Sequence, residues 1–448
     1  VTVPKHTHEI RDPIHVFVRL DNPERDVLNS KPFQRLRHIH QLALTYLVYP
    51  GATHKRFEHS LGVMELASRV FDVITNPDNV SGEIRNRLEP LGKADSDAWR
   101  YWRRVLRMAA LCHDIGHLPF SHAAEDLLPE GWDHERVTRE IIASEEMRQI
   151  WENMTPPLRQ EDIIKLTVGP NKVKDLQFSD WEAILSEIIV GDAFGVDRMD
   201  YLLRDSHHLG VAYGKFDHYR LIDTLQILPT PSPSEENQSG GEPTLGVDEG
   251  GVQSSEALMV ARYFMYSQVY FHPVRRIYDI HIKDFLKDWL PGGVFTTDIR
   301  KFLSITDNEV TATLRKAAFD DGEPGHSHAR RIVRREHFKR LYERNPIDVG
   351  INPEAGREIF DALSRQFGTD MFRHDRYSQK GGSPDFPVRM RDGRIVSSLA
   401  VSEVLNKVPV VSVDSVFAER GIFDKAERWL NENREKIIEP RKEEDANG

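Results

Sequence analysis

The chain has 448 residues, 39% of them hydrophobic, with a formal net charge of −11. That size and apolar content can bury a large core, one main domain with appendages, and the negative balance opposes a nucleic-acid sheath, which needs a basic track. The single cysteine, Cys112, excludes an internal disulfide and fits a reducing cytoplasm; no apolar stretch is long enough to span a bilayer and residues 1–9 lack the features of a secretory signal, so the expected compartment is cytoplasmic.

In chain order, residues 1–49 read as an N-terminal segment: an entry segment to about Pro23, then a helix carrying Phe33, Leu36, Ile39 and Leu42. Pro50-Gly51 marks a turn. Residues 50–228 form a mainly helical core. One amphipathic run starts at His59 and holds Leu61, Val63, Met64, Leu66, Ala67, Val70, Phe71 and Val73. A second covers Asp95 to Leu111, with Trp99, Trp102, Val105, Leu106, Ala109 and Ala110 on the 3.6-residue period, closed by Gly116. A third begins at Asp197 with Met199, Tyr201, Leu202 and Leu203. Residues 229–253 are expected to be a hairpin insertion, with strands over Asp223–Pro229 and Glu242–Gly250 joined by a mobile loop, Pro231 to Gly241. A helix resumes over 254–290. Residues 291–437 read as a mixed α/β region, with a flexible connection Asp320–His328, a hairpin Phe386–Leu399 turning at Asp392-Gly393, and a last helix Phe423–Lys436. Residues 438–448 read as a disordered charged tail. The fold class expected is mainly α, a helical core with a small β-hairpin insertion and a mixed α/β C-terminal region.

Three strings carry the chemistry: Arg56-Phe57-Glu58-His59-Ser60-Leu61-Gly62-Val63, Leu111-Cys112-His113-Asp114-Ile115-Gly116-His117, and Phe194-Gly195-Val196-Asp197-Arg198-Met199-Asp200-Tyr201. With 20 histidines in the chain, one His-Asp dipeptide says little. Three helices each presenting a donor to one point is how helical metal sites are built. Two imidazoles and two carboxylates, His59, His113, Asp114 and Asp197, suit a divalent transition metal or zinc, which activates water and neutralises phosphate charge. The set predicts a metal-dependent phosphohydrolase. Cys112 reads as core packing rather than a thiol ligand. The densest basic run, Arg330-Arg331-Ile332-Val333-Arg334-Arg335 with Lys339, Arg340 and Arg344, reads either as a solvated face interspersed with Glu336 and Glu343 or as a site for a polyanion.

These strings, with Arg11-Asp12-Pro13-Ile14-His15, Phe33-Gln34-Arg35-Leu36-Arg37, His113 through His122 and Asp197 through Gly210, resemble the HD-domain phosphohydrolase superfamily and, within it, the deoxynucleoside triphosphate triphosphohydrolases. The similarity runs from about residue 7 to 290 and more thinly to about 345. It implies an HD helical core and His59, His113, Asp114 and Asp197 as ligands of a divalent metal, manganese, iron, magnesium or zinc. It further implies His117, His122, Glu125 and His134 as the catalytic set, with His134 and Glu125 as acid/base pair. Arg56, Arg198 and Arg262 would grip the triphosphate, Gln41 and Asp205 the sugar 3′-hydroxyl, and Leu42 and Tyr270 would exclude a 2′-hydroxyl, with Tyr201 near the sugar. Phe271 replaces a Gln that relatives place near the base. Asn29, Gln34, Arg37, Arg335 and Lys339 match positions that contact an activating nucleotide. Asn29 stands where relatives use Asp, which predicts relaxed activator choice or none, and Val16 replaces the usual Gly after Asp-Pro-Ile-His. Expected partners are a dNTP, an activating nucleotide and further copies of the chain in a dimer or tetramer, without a membrane and with nucleic acid not favoured. Two other classes stay open: a nuclease or phosphodiesterase on the same metal cradle, and a catalytically silent nucleotide sensor.

Overall fold

Asp12 sets the first element. Its Oδ1 accepts the backbone N–H of Ile14 (2.9 Å) and of His15 (2.8 Å), closing a turn between antiparallel strands Thr7–Asp12 and Val16–Asp21. The entry segment expected to about Pro23 thus holds a hairpin over residues 7–21. Only Val18 and Leu20 of its second strand are buried, so the alternation is short. Val16 holds φ 68°, a left-handed conformation that disfavours β-branched residues, so the turn is kept without the glycine. Asp21 then caps the helix Asn22–Asn29 in a capping box with Glu24, and Ser30 caps Lys31–Arg35. The helix expected through Ile39 and Leu42 ends earlier. A 3-10 turn, Leu36–His38, follows, and Ile39 is extended next to a β-bridge between His40 and Lys55.

The computed structural model describes residues 7–85, 87–88, 96–230, 241–378 and 384–439, and the side chains of residues 83 and 122 are also outside the described set. Most of the loop Pro231–Gly241, most of the tail 438–448 and His6 therefore lie outside the described residues.

Contacts divide the chain into two compact units: Val1–Met265 with Phe295–Val310 and Gly382–Pro409, and Tyr266–Val294 with Thr311–Gly381 and Val410–Gly448. The chain is mainly helical with small sheets. In the first unit the helices Arg56–Ile74, Asp97–Cys112 and Val196–Leu209 build the core. Ser96 caps the second through its Oγ and Gly210, at φ 71°, ends the third. The two hairpins read from the sequence join in one four-stranded sheet, in the order Leu225–Pro229, Pro243–Asp248, Pro387–Arg389, Ile395–Ser397, with the middle pair parallel. Gly393 takes φ 89° at the second turn.

The single helix expected from Ser254 through Leu286 is three pieces: Val252–Met265, a π-helical turn Tyr266–Tyr270, and Pro273–Trp289. Pro273 explains the break, since it donates no N–H and pushes His272 out of helical geometry. The second unit has an antiparallel sheet in the order Lys339–Glu343, Ser412–Ala418, Phe372–Ser378, packed with helices Ala355–Phe367 and Phe423–Ile438 around Ile359, Leu363, Val416 and Leu430. The helix His326–Val333 begins inside the connection expected to be flexible. In the basic run Arg330 pairs with Glu336 and Arg340 with Glu343, both at 2.7 Å, as a solvated face interspersed with acids would. Among the described residues, no helix is long and apolar enough to cross a membrane.

Candidate metal centre

Three helix ends converge. His59 sits in the first turn of Arg56–Ile74, His113 caps the C-terminus of Asp97–Cys112, and Asp197 opens Val196–Leu209. Their donor atoms all lie within 4.8 Å of one another. His59 Nε2 is 3.0 Å from Asp197 Oδ1 and 3.6 Å from Asp114 Oδ2. His113 Nε2 is 3.4 Å from Asp197 Oδ1 and 3.5 Å from Asp114 Oδ1. The far nitrogen of each ring is committed elsewhere: His113 Nδ1 donates to the Ala110 carbonyl (2.8 Å) and His59 Nδ1 to Asp200 Oδ2 (2.8 Å). Those contacts leave Nε2 of each ring as the nitrogen that faces the carboxylates, the position from which an imidazole ligates a metal once it carries no proton. His113 Nε2 is buried and makes no hydrogen bond. Such an atom costs about 1–3 kcal/mol unless something else satisfies it. The donor set and this orphaned nitrogen fit a divalent cation.

The electrostatics agree. Burial disfavours charge on His59, but hydrogen bonds to Asp197 and Asp200 outweigh it and raise its pKa to about 10. A proton on His59 Nε2 therefore competes with a cation for that nitrogen. Burial alone would raise Asp197 and Asp114; His113 and His59 hold the first below the usual range, and Arg56, His113 and His117 hold the second well below it.

Behind His59 lies a network that sequence reasoning missed. Asp200 accepts from His59, from His15 Nε2 (2.6 Å) and from Arg204 (2.8 and 3.0 Å), and Arg204 Nη1 continues to Asp12 (2.8 Å). All of these side chains are buried. Gly62 leaves room for it, because a Cβ there would lie 1.9 Å from Asp200 Oδ1. The spacing Asp197, Asp200, Arg204 on one helix was the available signal.

The expected catalytic residues stand beside the cradle. His117 Nε2 is 3.1 Å from Asp114 Oδ1, and its ring stacks on His134 with centroids 4.3 Å apart. His134 Nδ1 hydrogen-bonds Glu125, with Glu135 at 3.3 Å. Burial and the nearby Arg56 hold His117 well below its ordinary pKa; for His134 burial acts the same way, but Glu125 outweighs it and raises the pKa. One ring is held neutral and its stacked neighbour favours the proton. The His122 side chain lies outside the described residues.

The expected substrate contacts divide. Arg56 is committed to Asp114 and to Ser121 Oγ (3.0 Å), on the metal-ligand side. Arg198 Nη1 turns to the carbonyls of Gly191 (3.3 Å) and Asp192. Gln41 is buried with Oε1 making no hydrogen bond, and its N–H donates to the His54 carbonyl (3.0 Å) while His54 Nε2 meets Asp205 Oδ1 (2.7 Å). His54, which sequence reasoning did not single out, thus links the Gln41 backbone to the Asp205 carboxylate. Leu42 and Arg262 are buried and Tyr201 is half-buried in the same unit. Of the residues matched to an activator, Asn29 is exposed, Gln34 Nε2 donates to the Leu28 carbonyl (2.7 Å), and Arg37 lies over the Phe57 ring at 3.5 Å. Arg335, Lys339 and Tyr270 belong to the second unit, where Lys339 lies over Phe423.

Comparison with known proteins places this geometry. Residues 56–203 match the HD domain and residues 216–359 the HD-associated region. An uncharacterized protein of Methanocaldococcus jannaschii is 34% identical over 81% of this chain and 68% of its own length. The deoxynucleoside triphosphate triphosphohydrolase SAMHD1 of Gallus gallus is 29% identical over 79% of this chain, which spans 58% of that protein. The crystal structure of a hypothetical protein from Aquifex aeolicus, 32% identical, superposes with a TM-score of 0.74 over 95% of this chain and 100% of that one. The matched segment 56–203 contains His59, His113, Asp114 and Asp197, and the chain belongs to the HD-domain phosphohydrolases that carry an HD-associated region.

Proposed function

We propose that the chain hydrolyses deoxynucleoside triphosphates at the α-phosphorus, releasing deoxynucleoside and inorganic triphosphate. The observation that carries this is the buried donor set of His59, His113 and Asp197 with the stacked His117–His134 pair and Glu125 alongside. His59, His113, Asp114 and Asp197 hold a divalent metal, which when bound polarises the phosphoryl group and neutralises its charge. Glu125 accepts the Nδ1–H of His134 and leaves Nε2 to carry the proton that the departing sugar oxygen requires. His117, kept neutral beside Asp114, orients the ligand carboxylate, and His122 completes the acid–base set. Arg56 anchors Asp114, while Arg198 and Arg262 supply guanidiniums for the triphosphate. Gln41 Oε1 and the His54-supported Asp205 offer acceptors for a 3′-hydroxyl. A relative named as a deoxynucleoside triphosphate triphosphohydrolase, 29% identical, supports the substrate class, and the net charge of −11 favours free nucleotides over nucleic acid. Assembly of copies around an activating nucleotide belongs to the same reading.

The test is product analysis. Metal-loaded protein is incubated with each dNTP, each NTP and a short single-stranded oligonucleotide, with and without a second nucleotide. Deoxynucleoside with intact triphosphate is the expected outcome. Shortened oligonucleotide with untouched dNTPs would make this a nuclease, and no product at all would leave a sensor.

A further inference from the structure

The helix Asp97–Cys112 carries arginine at positions 100, 103, 104 and 107, spacings that put all four on one face. Like charges at such spacings disfavour a helix, so the stripe costs stability unless something answers it. It lines a cavity of about 500 Å³ whose wall also holds Arg19 from the strand Val16–Asp21 and Arg69 from the helix Arg56–Ile74. Four carboxylates, Asp21, Glu24, Glu65 and Asp72, share the wall with these six arginines, which leaves two positive charges in excess on a chain of net charge −11. None of the residues of the metal centre lines it.

Three of the arginines are structural. Arg107 grips Glu24 through Nε (2.6 Å) and Nη2 (2.9 Å), Arg103 grips Asp72 through Nε (2.7 Å) and Nη2 (2.9 Å), and Arg104 bonds Asp21. These pairs use up three carboxylates and tie the N-terminal hairpin and first helix to the core. The other three are less committed. Arg69 reaches Glu65 through Nε and Nη2, both at 3.1 Å, while its Nη1 is buried with no hydrogen-bond partner. Arg100 is 60% exposed and has Asp97 only at 3.9 Å. Arg19 spends Nε on Glu9, which is not part of the cavity wall. The Trp99 ring closes part of the same wall.

We propose that this cavity is a second anion site, which takes the phosphate group of a free small molecule of up to nucleotide size on Arg69, Arg100 and Arg19. A guanidinium fork matches two phosphate oxygens at once, the excess of two charges matches a phosphate dianion, and the volume falls in the range of small-molecule pockets. A nucleic-acid backbone fits poorly, because carboxylates interrupt the arginines and the charge is confined to one concavity rather than a track.

The test titrates inorganic pyrophosphate calorimetrically into protein freed of metal with EDTA, comparing the unaltered chain, Arg69→Gln/Arg100→Gln and Arg198→Gln, the last removing a guanidinium assigned to the triphosphate at the metal centre. The double variant should bind at least tenfold more weakly, whatever Arg198→Gln does to binding at that centre. Equal affinity in the double variant, with or without a loss in Arg198→Gln, overturns the proposal. Should the double variant melt early, Arg100→Gln alone carries the measurement, since that side chain is mostly in solvent; weakened binding supports the site and unaltered binding sinks it. Crystals soaked in tungstate should show anomalous density between Arg69 and Arg100, and density only elsewhere contradicts it. Because the assay is metal-free and reads binding rather than hydrolysis, its failure leaves the dNTP reading untouched, and the reverse holds.

Discussion

Two clusters in this chain have the same ingredients and opposite chemistry. His59, His113 and Asp197 in the first unit, and His281, Asp284 and His328 in the second, each bring two imidazoles and a carboxylate within 4.8 Å. In the first, the outer nitrogens are used up and the inner ones are left to face the carboxylates. In the second, His281 Nδ1 is also buried without a hydrogen-bond partner, but the other ring nitrogen of His281, a ring nitrogen of His328 and the Asp284 carboxylate are engaged by backbone and guanidiniums. His281 Nε2 accepts the Phe338 N–H (3.3 Å), Asp284 accepts from Arg373 Nε (3.0 Å), and His328 Nδ1 lies 3.2 Å from Arg331 Nη1. Both guanidiniums lie over the Phe338 ring, at 4.5 and 5.6 Å. Burial first, then Arg331, His328 and Arg373, push the His281 pKa down to about 2. With Nε2 as acceptor its Nδ1 carries the hydrogen and has no lone pair for a metal. Residue types and distances do not make a metal centre; the direction of the free lone pairs does.

That contrast can be broken at either end. His113→Ala should lose bound metal and turnover together, by about 10²–10³-fold or more in rate, as when a main electrostatic group is removed; full activity with metal retained would refute its place in the set. Asp200→Asn keeps the shape but weakens the hold on His59 Nδ1, and should lower metal affinity by about 10–100-fold. A competition titration with a chelator, on protein shown folded by circular dichroism, measures it, and unchanged affinity would reduce Asp200 to a packing residue. Glu125→Gln removes the charge that keeps His134 protonated against burial. The His134 proton is then lost at lower pH, so the alkaline limb of the rate profile should move to lower pH while the acid limb stays. His281→Ala should leave the metal content per chain unaltered and cost about 1–3 kcal/mol of stability for the stranded Phe338 N–H, read by thermal melting and elemental analysis. A drop in metal content would erase the contrast.

Local signals carried the helices well. Asp97–Cys112 shows its apolar period and its Ser96 cap within one short stretch, and Val196–Leu209 ends at a glycine where one is needed. The convergence of His59, His113 and Asp197 was legible because each lies in a dense local string. Its support was not, because His15 and Asp200 are 185 residues apart and meet only in the folded chain. The N-terminal hairpin escaped for a different reason. Its turn places Val16, a poor left-handed residue, where a glycine would have announced it, although Asp12 already supplied the turn-forming carboxylate. The break at Pro273 was readable and was overridden by the continuing apolar period on both sides.

The most direct test is an anomalous difference map from crystals grown with manganese and measured at its absorption edge. One peak among His59, His113, Asp114 and Asp197, with none beside His281 and His328, is the predicted result. A peak at the second cluster, or none at the first, would contradict the account.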